Sequence, residues 1–270
     1  MIAIITCAGR GTRRRPDTEH TPKILLEHAG QPLIDHIVRP IDESGLFDKI
    51  VFVLSLQHGQ KVIDHVHRSF LDTPVKFVWQ DAPLGFGHAV LQAREEVFTP
   101  LRFPPLAGRL RGGWNPPVLI HTDDAVNRHC VDGMSLVSAI TSKKESQIGV
   151  QWRGNVKNYG MAIVSYPNGH LPRTNSPMPG RVEWLVEKPY WDEGGLAMTG
   201  IYYIRESRRL FRCLNKLVNS GRCLGGEYQF THALQMMIDQ GTPFQTYYHE
   251  WVDCGQARKR EDEGTEKREI

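Results

Sequence analysis

The chain's order of apolar and amphipathic segments predicts an α/β fold: a Rossmann-like mixed, mainly parallel sheet flanked by helices. Three observations carry this. Ile2–Thr6, Ile50–Leu54, Val75–Trp79 and Val118–His121 are short and apolar, as strands buried on both faces are. Pro32–Ser44, His58–Phe70 and Phe86–Phe98 lie between them and carry apolar residues at helical spacing. The connections are short, as in repeated strand–helix units.

Each element has its own signature. Ile2–Thr6 ends in a Gly- and Arg-rich loop, Ala8–Lys23. In Pro32–Ser44 the apolar face is Leu33, Ile34, Ile37, Val38 and Ile41, with Pro32 suited to a first turn and Gly45 to a stop. Thr99–Pro117 breaks the rhythm with five prolines, three glycines and three arginines, which predicts a surface excursion before the fourth strand. The second half is more mixed: strands at Gln147–Gln151, Met161–Tyr166, Arg181–Glu187 and Met198–Ile204, then helices at Glu206–Asn219 and Glu227–Gln240. From Gln256 the chain is mostly charged and reads as a solvated tail, leaving one domain over 1–255.

Bulk properties narrow the class. A net charge of +3 over 270 residues gives no general case for nucleic acid or membrane. No stretch approaches the roughly 20 apolar residues that span a bilayer. The N-terminus lacks a signal peptide's charged start and long apolar region, so a cytoplasmic protein is expected. Its five cysteines are scattered without CxxC spacing, which argues for reduced thiols over a disulfide framework or zinc site.

Parallel sheets bind ligands at the carboxyl ends of their strands, so the loops after Thr6, Trp79 and His121 are the candidate sites. In the first, Gly9 and Gly11 let backbone N–H groups approach an anion, and Arg13 and Lys23 add positive charge. The Gly-Lys-Ser/Thr ending of a Walker A loop is absent. A basic nucleic-acid patch of Arg10, Arg13, Arg14 and Arg15 is the competing reading. In the second, Gln80 can read a pyrimidine edge through its amide, while Gly85 and Gly87 break the strand before the next helix. In the third, Asp123 and Asp124 follow an apolar strand, and only one of two adjacent side chains should face a ligand. A single Asp suits magnesium, which takes one or two carboxylates plus phosphate oxygens and water; a helix N-cap is the alternative.

The string AGRGTRRRPDTEHTPKIL, with G-x-G-T-R-x-x-P and a downstream Pro-Lys, resembles the signature of the nucleoside-diphosphate-sugar pyrophosphorylases (sugar-1-phosphate nucleotidyltransferases). Further matches follow in the family's order: Gln80 five residues before Gly85, G-x-G-H-A-V over Gly85–Val90, Tyr159-Gly160, Glu187-Lys188-Pro189, Glu227-Tyr-Gln-Phe-Thr-His232 and Trp251-Val-Asp253-Cys-Gly255. G-x-G-H-A-V is most similar to the bacterial uridylyltransferases that act on glucose 1-phosphate. The sequence departs from the family at Thr122, where Gly or Pro is common, and at His232, where Asp is usual.

The resemblance implies the nucleotide-diphospho-sugar transferase fold, with a nucleotide-binding half over about 1–125 and a sugar-binding half over about 126–255. Ala8, Gly9, Gly11 and Thr12 would lie along the triphosphate, with Arg13 and Lys23 on the α-phosphate and pyrophosphate and Gln80 and Gly85 on the base. Tyr159, Gly160, Glu187, Gly200 and Glu227 would line the hexose, with Gly200 starting a strand edge, and Lys188 would hold the sugar phosphate. Asp123 and Asp253 would bind Mg²⁺. The expected substrates are an NTP, with UTP or dTTP favoured, and a hexose 1-phosphate. The alternatives are a cytidylyltransferase acting on phosphocholine or another phosphorylated alcohol, and a non-catalytic nucleotide-sugar sensor. The family includes dimers and tetramers, so a homo-oligomer is among the expected partners.

Overall fold

The computed structural model describes residues 1–69, 74–100, 115–123, 125–127, 133–166, 179–191 and 194–255. Most of the Thr99–Pro117 excursion, together with Asp124, Cys130 and the charged stretch 256–270, lies outside them.

Strand β1 (Ile2–Cys7) is buried along its whole length. A hairpin of β2 (Glu27–His28) and β3 (Gln31–Pro32) leads into α1 (Leu33–Glu43), then β4 (Lys49–Ser55), α2 (Gly59–Ser69) and β5 (Val75–Gln80). The helix expected over Phe86–Phe98 is two: α3 (Phe86–Gln92) and α4 (Arg94–Phe98) meet at Ala93, where ψ of −5° and an N–H bond to the Val90 carbonyl at 3.1 Å tighten the turn. β6 (Val118–Thr122), β7 (Ala125–Asn127), α5 (Gly133–Thr141), β8 (Ser146–Arg153), β9 (Gly160–Ser165) and β10 (Arg181–Glu187) come next. The chain continues through β11 (Gly195–Ile204), α6 (Ser207–Asn219), α7 (Phe230–Asp239), β12 (Phe244–Tyr248) and β13 (Trp251–Asp253). α7 starts three residues later than the sequence suggests, because the Glu227–Tyr228 backbone is held by the turn before α3.

Nine strands form one sheet in the order β5-β4-β1-β6-β11-β8-β12-β10-β9. The first four are mutually parallel, and β12 is parallel to β8. β11 runs antiparallel to β6 and β8, and β10 to β9 and β12, so the mixed character belongs to the second half. β11 also pairs with β9 through Leu196 and Ala197. β8, β12, β10, β9 and β11 therefore close a ring. Before Gly200, β11 lies between β8 and β9; after it, between β6 and β8. Gly200 has φ of 86° at the register shift between Met198 and Tyr202, so it stands inside the strand and not at the start of an edge.

Alternation along the parallel strands sorts the core into two layers. Ile2 and Ile4 pack with Val90, Leu210, Leu214, Phe230 and Leu234 of α3, α6 and α7. Ala3, Ile5 and Cys7 pack with Ile34, Val38, Val62, Val66 and Ile140 of α1, α2 and α5. Lys49, only 2% exposed at the start of β4, donates to the Glu96 carbonyl and to the Thr99 carbonyl at 3.1 Å, and pairs with the Glu96 carboxylate at 3.1 Å. It thereby satisfies the carbonyls that end α4. Among the described residues no helix is long and apolar enough to cross a membrane.

Candidate active site

The loop after β1 is pinned from within. Gly11 has φ of 63°, and a Cβ there would stand 2.8 Å from the Thr18 Cβ, so the position demands glycine. The Thr18 hydroxyl donates to the Gly11 carbonyl at 2.7 Å. Ala8 is buried beneath, while Gly9, Thr12 and Arg13 are exposed. Arg14, which the sequence places only in the competing basic patch, donates to the Cys254 carbonyl at 3.3 Å and so ties the loop to the end of β13.

Asp123 follows β6 and is 7% exposed. The Lys23 ammonium lies 2.8 Å from its Oδ1. Gly9 passes directly over this pair, its Cβ position 3.8 Å from Asp123 Oδ2. Burial, joined by the Asp123 charge, raises the Cys7 thiol well above its ordinary pKa, so it stays protonated. Asp253 reaches the same edge from the other end of the chain: β13 pairs antiparallel with β7 and sets Asp253 opposite Ala125, two residues past Asp123. The Asp253 carboxylate accepts from the Tyr159 hydroxyl at 3.0 Å and from the Gly255 N–H at 2.8 Å. Burial first, then the charge and hydrogen bond of Asp253, push the Tyr159 phenol up to about 12, which keeps it a donor.

The turn between β5 and α3 meets the segment before α7 backbone to backbone. Tyr228 N–H donates to the Leu84 carbonyl at 2.7 Å, and Gly87 N–H to the Tyr228 carbonyl at 2.8 Å. Gly85, at φ of 96°, would place a Cβ 2.7 Å from the Glu227 Cβ. The glycines thus do more than break a strand: they admit the Glu227 segment. Gln80 is buried, and its amide nitrogen donates to the Gly85 carbonyl at 3.1 Å and to His88 Nδ1 at 2.9 Å. This turns Gln80 onto the glycine turn and holds its conformation.

Glu187, Gly160 and Thr231 form a second cluster. β9 and β10 set Glu187 opposite Gly160, and the Thr231 hydroxyl donates to Glu187 Oε2 at 2.5 Å. Lys188 has φ of 48°, in the left-handed region that side chains disfavour. Its N–H donates to the Tyr159 carbonyl at 3.0 Å, and its half-exposed ammonium lies 3.9 Å from Glu187 Oε1. Two neighbours that would point apart on a regular strand are brought side by side, a strained conformation of the kind that gathers at functional sites. Gly200 abuts Thr122, whose Oγ1 would lie 2.1 Å from a Cβ there. That hydroxyl is buried with no hydrogen-bond partner among the described residues.

A profile of the nucleotidyl transferase family matches residues 2–263. The chain belongs to the nucleotidyl transferase family. It is 30% identical over 244 residues to the bifunctional protein GlmU of Methanococcus maripaludis, a match covering 89% of this chain and 48% of that protein. The chain thus spans about half the length of that relative. It is 27% identical over 259 residues to the UTP–glucose-1-phosphate uridylyltransferase YngB of Bacillus subtilis, covering 86% and 77% of the two chains. The solved structure of a UTP-bound UGPase from Acinetobacter baumannii shares the fold with a TM-score of 0.66 at 22% identity, over 94% and 88% of the chains.

The donor chemistry of the site fits a magnesium ion. A hard cation that keeps water and phosphate oxygens needs only one or two protein carboxylates. Lys23 already holds a positive charge against Asp123. Among the described residues no group of three or more His, Cys, Asp and Glu gathers as a metal cage. The candidate site also contains side chains that the sequence analysis does not single out. Thr231 lies within the matched Glu227–His232 element, and its hydroxyl type was the available signal for a carboxylate partner. His88, inside the matched G-x-G-H-A-V string, braces Gln80. Nothing local in the sequence marks Arg14, whose partner is 240 positions away.

Proposed function

We propose that the protein condenses a nucleoside triphosphate, UTP or dTTP, with a hexose 1-phosphate, releasing pyrophosphate and forming a nucleotide-sugar in the cytoplasm. Residues 1 to about 125 serve the nucleotide and about 126 to 255 the sugar. The observation that carries this reading is Asp123: a buried carboxylate at the carboxyl end of β6, beneath the Gly9 loop, with the Lys23 ammonium at 2.8 Å. Family membership and the substrates named for YngB support it.

The nucleophile is the phosphate oxygen of the sugar phosphate, already an anion, so the side chains need only position and neutralise. Lys188 holds that phosphate, and Glu187, oriented by Thr231, accepts from sugar hydroxyls. Gly85 and Gln80 take the base. As the bond to the α-phosphorus forms and the bond to pyrophosphate breaks, Arg13 and Lys23 offset the charge that leaves. Asp123 and Asp253 would hold Mg²⁺, which supplies charge neutralisation at the phosphate oxygens.

The test is pyrophosphate release with Mg²⁺ across a panel of NTPs and sugar 1-phosphates. Release that requires both substrates, strongest with UTP or dTTP and a hexose 1-phosphate, is expected. Preference for CTP with phosphocholine would move the acceptor away from sugars. Silence with every pair, alongside nucleotide binding, would make the protein a sensor.

A further inference from the structure

What Gln80 can offer a ligand is fixed by its two neighbours. A side-chain amide has an oxygen that accepts and a nitrogen with two hydrogens to donate, and its partners decide which way it faces. The Gly85 carbonyl, 3.1 Å away, can only accept, so the Gln80 nitrogen must point at it. His88 Nδ1 lies 2.9 Å from the same nitrogen and takes its second hydrogen. Both N–H groups are thereby spent inside the protein.

His88 must be a neutral ring with a bare Nδ1 to do this. Burial, opposed by the Asp81 charge, holds its pKa below the ordinary histidine value. A neutral imidazole cannot accept at both nitrogens, so Nε2 keeps the ring proton and the Gln92 amide, 3.2 Å away, meets it with its oxygen. α3 carries the ring, and Tyr228 lies beside it with centroids 6.5 Å apart, so the acceptor is held in place.

The group left for a ligand is the Gln80 amide oxygen. Gln80 is only 6% exposed. Among the described residues its oxygen has no hydrogen-bond partner, yet it is not sealed off as the Thr122 hydroxyl is. The Gly85 carbonyl is taken by Gln80 and by the Ala89 N–H at 3.0 Å, which leaves the Gly85 N–H. The two residues therefore present one acceptor and one donor. Uracil and thymine bring a ring N3–H flanked by two carbonyls, which matches them. Cytosine has a lone pair at N3 and its donor on the exocyclic N4, so it matches only after sliding by one ring position. The slide draws ribose and phosphates out of place, at a cost in affinity and, for a shift of about 1 Å, about a hundredfold in rate. Without an acceptor at position 88, the second Gln80 N–H would be available to cytosine N3 with no slide.

We propose that His88 is the positioning residue that sets base choice: by taking one N–H of Gln80 it leaves only an acceptor for the base, which favours uracil or thymine over cytosine, given that Gln80 and Gly85 take the base in the proposed function.

The experiment compares UTP with CTP, each with the same hexose 1-phosphate, as kcat/KM for pyrophosphate release. His88→Leu and the smaller His88→Ala remove the acceptor, while His88→Asn returns one as an amide oxygen. Wild type should favour UTP. Both acceptor-free variants should narrow the UTP-to-CTP ratio by about tenfold, the worth of one hydrogen bond, and KM for the sugar phosphate should stay unchanged. His88→Asn should restore the ratio. A loss that is equal for the two nucleotides would make His88 a structural brace and overturn the proposal, as would a wild type that favours CTP. If no pair turns over, the proposed function fails by itself, and the ratio of UTP to CTP dissociation constants, measured by calorimetry on the same four proteins, decides the role of His88 in the same way.

Discussion

The two halves of the sheet build their parts of the site by different means. In the first, β5, β4, β1 and β6 run the same way, and the candidate ligand groups stand at a strand's carboxyl end or in the loop that follows it. In the second, strands of mixed direction close into a ring, and the site is gathered from turns, a bulge and a helix start that are far apart in the chain. A parallel sheet has one functional edge. A ring of mixed strands has none by default, so its site depends on individual backbone departures: Lys188 at φ of 48°, Gly200 at φ of 86° and the Glu227 segment clasped by Gly85 and Gly87.

That contrast is broken most directly by comparing one acid from each half. Asp123→Asn keeps an oxygen for Lys23, so the fold persists, yet turnover at saturating substrates should fall about a thousandfold as metal-assisted charge neutralisation is lost. Glu187→Gln should chiefly raise KM for the sugar phosphate. If steady-state pyrophosphate release shows Asp123→Asn unimpaired, the acid is structural.

The joint between the halves is tested by Gly85→Ala. A Cβ 2.7 Å from that of Glu227, added at φ of 96°, should raise KM for both substrates by about tenfold and cost about 2 kcal/mol of stability. Gly30→Ala, at φ of 81° with nothing within 4 Å, supplies the comparison: strain alone, about 1 kcal/mol, and unaltered kinetics. A kinetic change confined to one substrate would show that the clasp does not couple the halves.

A last effect, on stability alone and not on turnover, concerns the ring. His249 is buried with Nε2 2.6 Å from the Thr199 hydroxyl; burial, with His121 nearby, lowers its pKa from 6.5 to about 4. The neutral ring is favoured by the fold, while the unfolded chain takes up a proton below pH 6.5. Its contribution to stability, about 3 kcal/mol, is therefore complete above 6.5 and is lost as pH falls from there towards 4. Thermal melts at pH 7.5 and pH 5 should show a shallower acid loss for His249→Gln than for wild type. Identical slopes would exclude His249 as the titrating group.

Legibility followed the same division. The apolar runs of β1, β4, β5 and β6 announce themselves because both of their faces are covered, and their ends point to the Gly9 loop, Gln80 and Asp123. β12, with the sequence Phe-Gln-Thr-Tyr-Tyr, passed unread, because only Phe244 and Thr246 are fully buried, and polar Gln245 and Thr246 leave no apolar run to mark a strand. The hairpin of β2 and β3 is too short for any periodicity to register. Sugar-side candidates were found through motifs, and the reason those residues work together is tertiary: Thr231 orients Glu187, and Tyr159 holds Asp253. The separation of α3 from α4 at Ala93 left no mark, since alanine is a good helix former and the tightening is a backbone event.

The crossing of β11 at Gly200 also limits how the molecule can be recombined. One end of that strand completes the ring with β8 and β9, and the other supplies β6 with its neighbour. A chimaera joined anywhere between Gly195 and Ile204 would fuse two strands evolved for different surroundings. A junction before Gly195 transfers the partner of β6 to the incoming half, and one after Ile204 leaves the incoming ring to close on a foreign strand. The halves are not cassettes, and a change of acceptor in this scaffold is better sought by substitutions around a retained β11 than by exchanging pieces.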